Sequence, residues 1–313
     1  MINARLTIAI PTYNRHLVLK ENLELMLPEI MEFEVPVYIS DDSSDNHTED
    51  MIKGLLEAYP NFHYRKNDPR LGHDRNCMST LKMADEEYVW YLGDSQIIMS
   101  GGIKRVLEAI SEKSPDFISV NSLHRCINLP TRDYRDANSF FTDLAWHATL
   151  TGATIYRKDI LFRSGYERYI GSNFMQLGIL LQELLESSKG ISWINENLIY
   201  GNDRKGGSYW NRQVFKVFAE DWVDFVSSLP DGYSHENKVK VMRSHSDNTG
   251  LFSERSYMAY RISGKLDLKS YFKYYSKLKY ATSMDIRDVL QMALTPRILV
   301  KRRFEKTYGK YVP

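Results

Sequence analysis

Cysteine is scarce: Cys77 and Cys126 are the two in 313 residues, with no spacing that suits a metal. A disulfide framework is therefore excluded, and a reducing, cytoplasmic setting fits. Long hydrophobic runs are also lacking, and nothing approaches the roughly eighteen apolar residues that a membrane-spanning helix needs. The first ten residues hold only a short apolar stretch that runs into Pro11, so no secretory leader is expected. No one sign of charge dominates: 41 Lys plus Arg against 40 Asp plus Glu leave +1. That balance argues against a dedicated nucleic-acid binder. Neither G-x-G-x-x-G nor G-x-x-x-x-G-K-[ST] follows the first apolar run, which disfavours a dehydrogenase or a P-loop kinase. Internal repeats and low-complexity tracts are absent.

What the chain does have is alternation. Residues 6–10 form a β-rich apolar run closed by Pro11. Asn14 then suits the cap of a helix along which Leu17, Leu19, Leu23, Leu27 and Ile30 recur near helical spacing. A second strand is expected over 35–39, followed by the acidic turn Ser40-Asp41-Asp42-Ser43-Ser44 and a helix through Met51, Ile52, Leu55 and Leu56. A strand at 62–65, a helix at 72–84 and a strand at 88–92 carry the rhythm to Gly93-Asp94. Such alternation predicts an α/β fold with a mostly parallel sheet and helices on both faces. Ligands of such sheets bind beyond the carboxyl ends of the strands. The loops at 11–14, 41–44 and 93–96 all follow strand ends, so they should converge on one crevice.

Further along, a strand is expected at 117–120, and the weakly periodic stretch 121–149 reads as loops over the site. A strand at 150–156, an apolar helix at 174–185 and an edge strand at 191–200 follow, leading into a Gly-rich loop at 201–208. Beyond Trp210 helical patterns dominate. Trp193, Tyr209, Trp210 and Trp222 read as core more readily than as sugar-stacking surfaces. We expect an α/β unit over residues 1–205 and a helical, basic region over 206–313. From Arg261 onward there are thirteen basic side chains and four acidic ones, so this tail stands at +9 and the rest of the chain at −8. Its stretch 294–312 interleaves Ile298, Leu299, Val300, Phe304, Tyr308 and Tyr311 with Arg297, Lys301, Arg302, Arg303, Lys306 and Lys310. A segment of that kind suits the interface of an anionic membrane, apolar side down, and equally an ordinary helix packed on the rest of the protein.

Four segments in order carry a further signal: Ile10-Pro11-Thr12-Tyr13-Asn14-Arg15, Ile39-Ser40-Asp41-Asp42-Ser43-Ser44-Asp45, Arg70-Leu71-Gly72-His73-Asp74-Arg75-Asn76 and Tyr88-Val89-Trp90-Tyr91-Leu92-Gly93-Asp94. In order and spacing they resemble the family 2 glycosyltransferases, and the form ending in Leu-Gly-Asp is similar to the abequosyltransferase-like branch. The resemblance covers residues 6–96 firmly and extends loosely to about residue 200. It implies the GT-A form of the fold and a nucleotide-sugar donor. It also implies inverting transfer of the sugar to a glycan or lipid-linked acceptor in surface polysaccharide synthesis.

The resemblance assigns the donor's base and ribose to Asp41, with Asp42 beside it, and the base and diphosphate to Arg75. Tyr13 would stack on the base, with Pro11 fixing its loop. Read without the family, Asp41 and Asp42 suit an Asx turn, Tyr13 suits core packing, and Arg75 suits an ion pair with Asp74 or Glu24. Asp94 is the implied ligand of Mg²⁺ or Mn²⁺, where relatives carry two or three carboxylates that clamp the diphosphate. Here Ser95 and Gln96 follow it with neutral oxygens. Three outcomes stay open: an ion held by Asp94 and the diphosphate alone, a metal-free enzyme using Arg75 and other cations, or an inactive relative. The acidic pair that supplies the general base in relatives is replaced by Gly171-Ser172-Asn173. His147 is the nearest substitute, ahead of Asp143 and Glu167, although alone it also reads as a packed histidine. His73 reads as a loop residue outside the chemistry. A non-catalytic sugar-nucleotide-binding or scaffold protein is the competing reading.

Overall fold

The computed structural model describes residues 5–123, 125–163, 165–206 and 209–311. Gly207 and Ser208 of the expected Gly-rich loop, the side chain of Tyr209, and Val312 lie outside what is described. The chain forms two compact units. One runs to Phe140 and includes His147–Gly206; the other takes Phe141–Trp146 and the helices from 209 on.

The first unit is a sheet with flanking helices. Its elements are β1 (Leu6–Thr12), α1 (His16–Glu32), β2 (Val37–Asp41), α2 (His47–Ala58), β3 (Phe62–Lys66), α3 (His73–Met83), β4 (Tyr88–Tyr91), β5 (Gln96–Ile98), α4 (Gly102–Lys113), β6 (Phe117–Ser122), β7 (Arg132–Tyr134), α5 (Ala137–Ala148), β8 (Thr154–Arg157), α6 (Met175–Leu184) and β9 (Ile191–Gly201). The sheet order is β3-β2-β1-β4-β8-β6-β9-β5, with β7 also on β9. The first four strands are mutually parallel, as the opening alternation predicts. In the second half, β8 runs antiparallel between β4 and β6, and β5 and β7 run antiparallel to β9.

The inner parallel strands β1, β2 and β4 are almost wholly buried because helices cover both faces, whereas the edge strand β3 alternates. All of β2 and all of β4 are buried, for instance. Helix α1 buries Leu19, Leu23, Met26 and Ile30 at helical spacing and leaves Leu17 exposed. Asn14 does not cap it: the helix begins after Arg15, and Asn14 sits in the left-handed region. Its N–H instead donates to Ser43 Oγ at 2.8 Å. The stretch 121–149 is not all loop. Asp136 accepts from the N–H groups of Asn138 and Ser139 and starts α5. Phe140, Phe141, Leu144, Ala145 and Ala148 are all buried, so apolar residues on more than one side blur the 3.6-residue period. Strand β9 is no edge: β6 pairs along one side of it, and β7 and β5 share the other. Eleven residues are long enough to serve two short partners end to end. Trp90 and Trp193 fill the core with no exposure, the latter donating to the Leu129 carbonyl at 3.1 Å.

The second unit is helical: α7 (Trp222–Ser228), α8 (His235–Thr249), α9 (Glu254–Ser263), α10 (Leu268–Ala281), α11 (Ile286–Leu294) and α12 (Arg297–Tyr308). Ser234, Ser253, Asp267 and Asp285 cap four of these helices with side-chain hydrogen bonds. An aromatic stack of Phe215, Phe252, Tyr257 and Tyr274 forms its centre. Trp222 is wholly buried there, so Trp193 and Trp222 are core, as their composition led us to expect.

Candidate donor-binding site

The chain steps from β1 outward to β2 and β3, then returns to the other side of β1 with β4. That reversal makes the carboxyl ends of β1 and β4 the switch point where α/β sheets hold ligands. Register aligns the ends: Thr12 stands opposite Asp41 across β1 and β2. Hydrogen bonds then draw the three loops together. Thr12 donates to Asp94 at 3.2 Å, Asn14 to Ser43, and the Asp42 N–H to the Thr12 carbonyl at 3.0 Å.

Asp41 and Asp42 sit at the end of β2, and both are buried. Asp41 closes an Asx turn by accepting from the Ser43 N–H at 2.8 Å, and its second oxygen accepts from the Tyr64 hydroxyl at 2.8 Å. Burial, joined by that carboxylate, pushes the Tyr64 hydroxyl far up and keeps it a donor. Asp42 accepts from Asn67 at 2.9 Å, the Leu71 N–H at 3.1 Å and the Gly72 N–H at 2.7 Å. It thereby pins the loop ahead of α3. Pro11 is half-buried at the end of β1. Tyr13 is 44% exposed and carries the Arg70 guanidinium 4.1 Å from its ring centre. Arg75, in the first turn of α3, is exposed and has no ion pair or hydrogen bond among the described residues; Asp74 and Glu24 are engaged elsewhere.

Asp94 follows β4 and is buried, yet it is not alone. Arg15 reaches across from the start of α1 and donates to its Oδ1 at 3.0 Å, while Thr12 holds Oδ2. Burial raises the Asp94 carboxyl above its usual range, opposed by Arg15, Thr12 and the Tyr13 N–H. Asn22 fixes the Asp94 backbone by donating to its carbonyl at 2.9 Å. Gln96 does not stand in for a second carboxylate, because its amide oxygen accepts from the Gly93 N–H at 2.9 Å and closes the turn. No three His, Cys, Asp or Glu side chains group as metal ligands among the described residues. The donor set does not fit a resident Mg²⁺ or Mn²⁺: it offers one carboxylate, already shared between a guanidinium and a hydroxyl. Arg15 closes the first motif segment, but its pairing with Asp94 left no signal in the sequence, since 79 positions separate the two.

His147 is not brought to the crevice, which corrects its reading as a general base. It lies inside α5 with 0% exposure, on the Val120 carbonyl at 2.9 Å and edge-on to Trp193. Burial, with Arg125 adding to it, pushes its pKa down to about 3. A group so placed meets no acceptor hydroxyl. Asp143 is half-buried on the same helix, and Glu167 is exposed in a short turn.

Comparisons with known proteins bear on the family and the fold. The chain is 35% identical over 100 residues to abequosyltransferase RfbV of Salmonella typhimurium, a stretch covering 30% of this chain and 28% of that protein. It is 23% identical over 283 residues to the GalNAc(5)-diNAcBac-PP-undecaprenol beta-1,3-glucosyltransferase of Campylobacter jejuni, covering 88% of this chain and 83% of the relative. Among solved structures, S. aureus TarS 1-349 in complex with UDP superposes with a TM-score of 0.59 at 16% identity, over 98% of this chain and 93% of that one. The mannosyltransferase PcManGT of Pyrobaculum calidifontis, solved with GDP-Man and Mn²⁺, gives 0.58 at 13% identity, over 98% and 88%. These two share the fold. The model of glycosyl transferase family 2 matches residues 7–177, more than half of the chain and the whole span from β1 into α6, and the chain belongs to that family.

Proposed function

We propose that the protein is an inverting glycosyltransferase, moving a sugar from a nucleoside diphosphate donor to a glycan or lipid-linked acceptor in surface polysaccharide synthesis. The observation that carries this reading is the joining of Thr12, Arg15 and Asp94 across the switch point. It leaves a guanidinium at the place where a diphosphate would lie. The base would stack at Tyr13, in place of or beneath Arg70, with Asp41 and Asp42 holding the loops around it and the Pro11 segment below. The acceptor oxygen attacks the anomeric carbon as the bond to the diphosphate breaks, and the electron pair leaves on the nucleoside diphosphate. Arg15 and Arg75 would offset that charge through bidentate contacts. Mg²⁺ or Mn²⁺ has no prepared cage here, so the cations of the chain take the larger share. The lipid-linked acceptor follows the name of the Campylobacter relative, and the nucleotide donor follows the TarS and PcManGT complexes.

Among the described residues no helix is long and apolar enough to cross a membrane. We place the protein in the cytoplasm, peripheral to the inner face of the membrane through its basic helical region. The unit boundary that suits this reading is residues 1–205 for donor binding and 206–313 for the appendage. The experiment is a panel of UDP-, GDP-, CDP- and dTDP-sugars, scored for binding and for release of nucleoside diphosphate, with and without Mn²⁺. A non-catalytic relative would bind one of them and release nothing with any acceptor; a protein that binds none of them is not a glycosyltransferase of this kind.

A further inference from the structure

The loop that lacks a base is held by a carboxylate from elsewhere in the chain. Asp74, in the first turn of α3, accepts from the Gly171 N–H at 2.7 Å and from the Asn173 N–H at 3.2 Å, across 97 and 99 positions of sequence. Its other oxygen meets His73 Nδ1 at 2.7 Å. The Asp74 side chain is 7% exposed, whereas that of His73 is 48% exposed. A carboxylate missing from residues 171–173 is thus delivered to them in space, and it carries a solvent-accessible imidazole. His73 directly follows the Leu71-Gly72 segment that Asp42 pins, and Arg75 is two residues on. The imidazole therefore belongs to the same loop as the donor site.

Resting on the glycosyl-transfer reading, we propose that His73, oriented by Asp74, is the general base of this enzyme. Nε2 takes the proton of the acceptor hydroxyl as its oxygen bonds to the anomeric carbon and the carbon–diphosphate bond breaks. Asp74 accepts from Nδ1–H, selects the tautomer and supports the imidazolium. The diphosphate leaves with the bonding electron pair, and the proton passes from the imidazolium to solvent. Asp74 is the charged group in contact with the imidazole, Arg75 follows it on the same helix, and Asp42 holds the Leu71-Gly72 segment just before it. On the α6 side, Gly171, Ser172 and Asn173 add no titratable side chain.

The test uses the full chain with the panel of nucleotide sugars, following nucleoside diphosphate release from pH 5 to 9 and diphosphate affinity by calorimetry. His73→Gln should lower kcat by about 10²–10⁴-fold and remove the acidic limb of the pH profile. Affinity for the nucleoside diphosphate should stay within about twofold, because the imidazole acts on the acceptor and not on the donor. Asp74→Asn, scored beside it for retained thermal unfolding, should lower kcat and shift the same limb. A His73→Gln enzyme with near-normal kcat and an intact acidic limb would overturn the base. So would loss of diphosphate affinity in parallel with turnover, which would make His73 a donor ligand. Failure of the wild-type chain to bind any member of the panel would instead overturn the transferase reading, and the base with it.

Discussion

Arg15 and His147 show how differently two side chains fare once the chain is folded. Arg15 closes the first of the four motif segments and is engaged with Asp94, so its loss should be felt at the diphosphate. Arg15→Ala is expected to weaken nucleoside diphosphate binding in chelator about ten- to a hundredfold, the range of a lost charge-assisted hydrogen bond. Nucleoside alone should be held almost as before, and Mn²⁺ should stimulate the variant more than the wild type, because Asp94 is released. Equal losses for nucleoside and diphosphate in calorimetry would refute the assignment. His147 acts on stability. Its folded pKa of about 3 lies below that of the unfolded chain, so below about pH 6.5 the unfolded state takes up a proton that the folded state refuses. Stability therefore falls as pH falls, by about 1.4 kcal/mol per pH unit from this group. Urea unfolding at pH 7 and pH 5 should show wild type losing about 2 kcal/mol more than His147→Asn; parallel losses would contradict the buried, neutral imidazole.

Elements were legible in proportion to how one-sided their burial is. Helix α1 shows one apolar stripe and reads plainly, whereas α5 is buried on more than one side and reads as nothing in particular. Boundaries followed the same logic, since the cap of α1 was decided by Ser43 drawing Asn14 away into the left-handed region. Strand β9 was recognised as a strand but misjudged as an edge, because pairing partners leave no trace in a period of two. One glycine explains its start. Gly190 has φ +70°, and a Cβ there would come within 2.1 Å of the Tyr134 carbonyl oxygen. Gly190→Ala should destabilise the protein by about 1–3 kcal/mol and loosen β7 from β9. Thermal unfolding checks the first, and hydrogen exchange at Ser192 and Tyr134 checks the second. A variant with unchanged midpoint and protection would mean that the backbone yields at no cost.

At the scale of the molecule, the basic tail is where the membrane reading stands or falls. Within the second unit, Val300 and Phe304 are buried and α12 packs on α9, so part of the apolar content serves the fold. Leu294 at 58%, Ile298 at 61% and Leu299 at 49% exposure remain outside, among Arg297, Lys301 and Arg302. Leu268 and Lys269 share a shallow depression with Leu294. Arg303 is paired with Glu254 and Lys301 with Glu305, which removes both from the free positive charge. Each of the remaining basic side chains near an anionic surface contributes about 1 kcal/mol, less at high salt. Ile298→Ser with Leu299→Ser should therefore leave the fold intact and reduce sedimentation with anionic vesicles several-fold, while wild type pellets at low salt and releases at high salt. Equal pelleting of both proteins, or equal pelleting on neutral vesicles, would reject a membrane face. By itself the sequence determined the α/β class, the strand ends that border the candidate site and the family, because these follow from local apolar periodicity and short contiguous motifs. Only the tertiary structure decided which carboxylates are already taken, that His147 is sealed inside α5, and that Asp74 brings His73 to the 171–173 loop. Those outcomes depend on contacts between residues from 23 to 99 positions apart, for which a linear pattern holds no record.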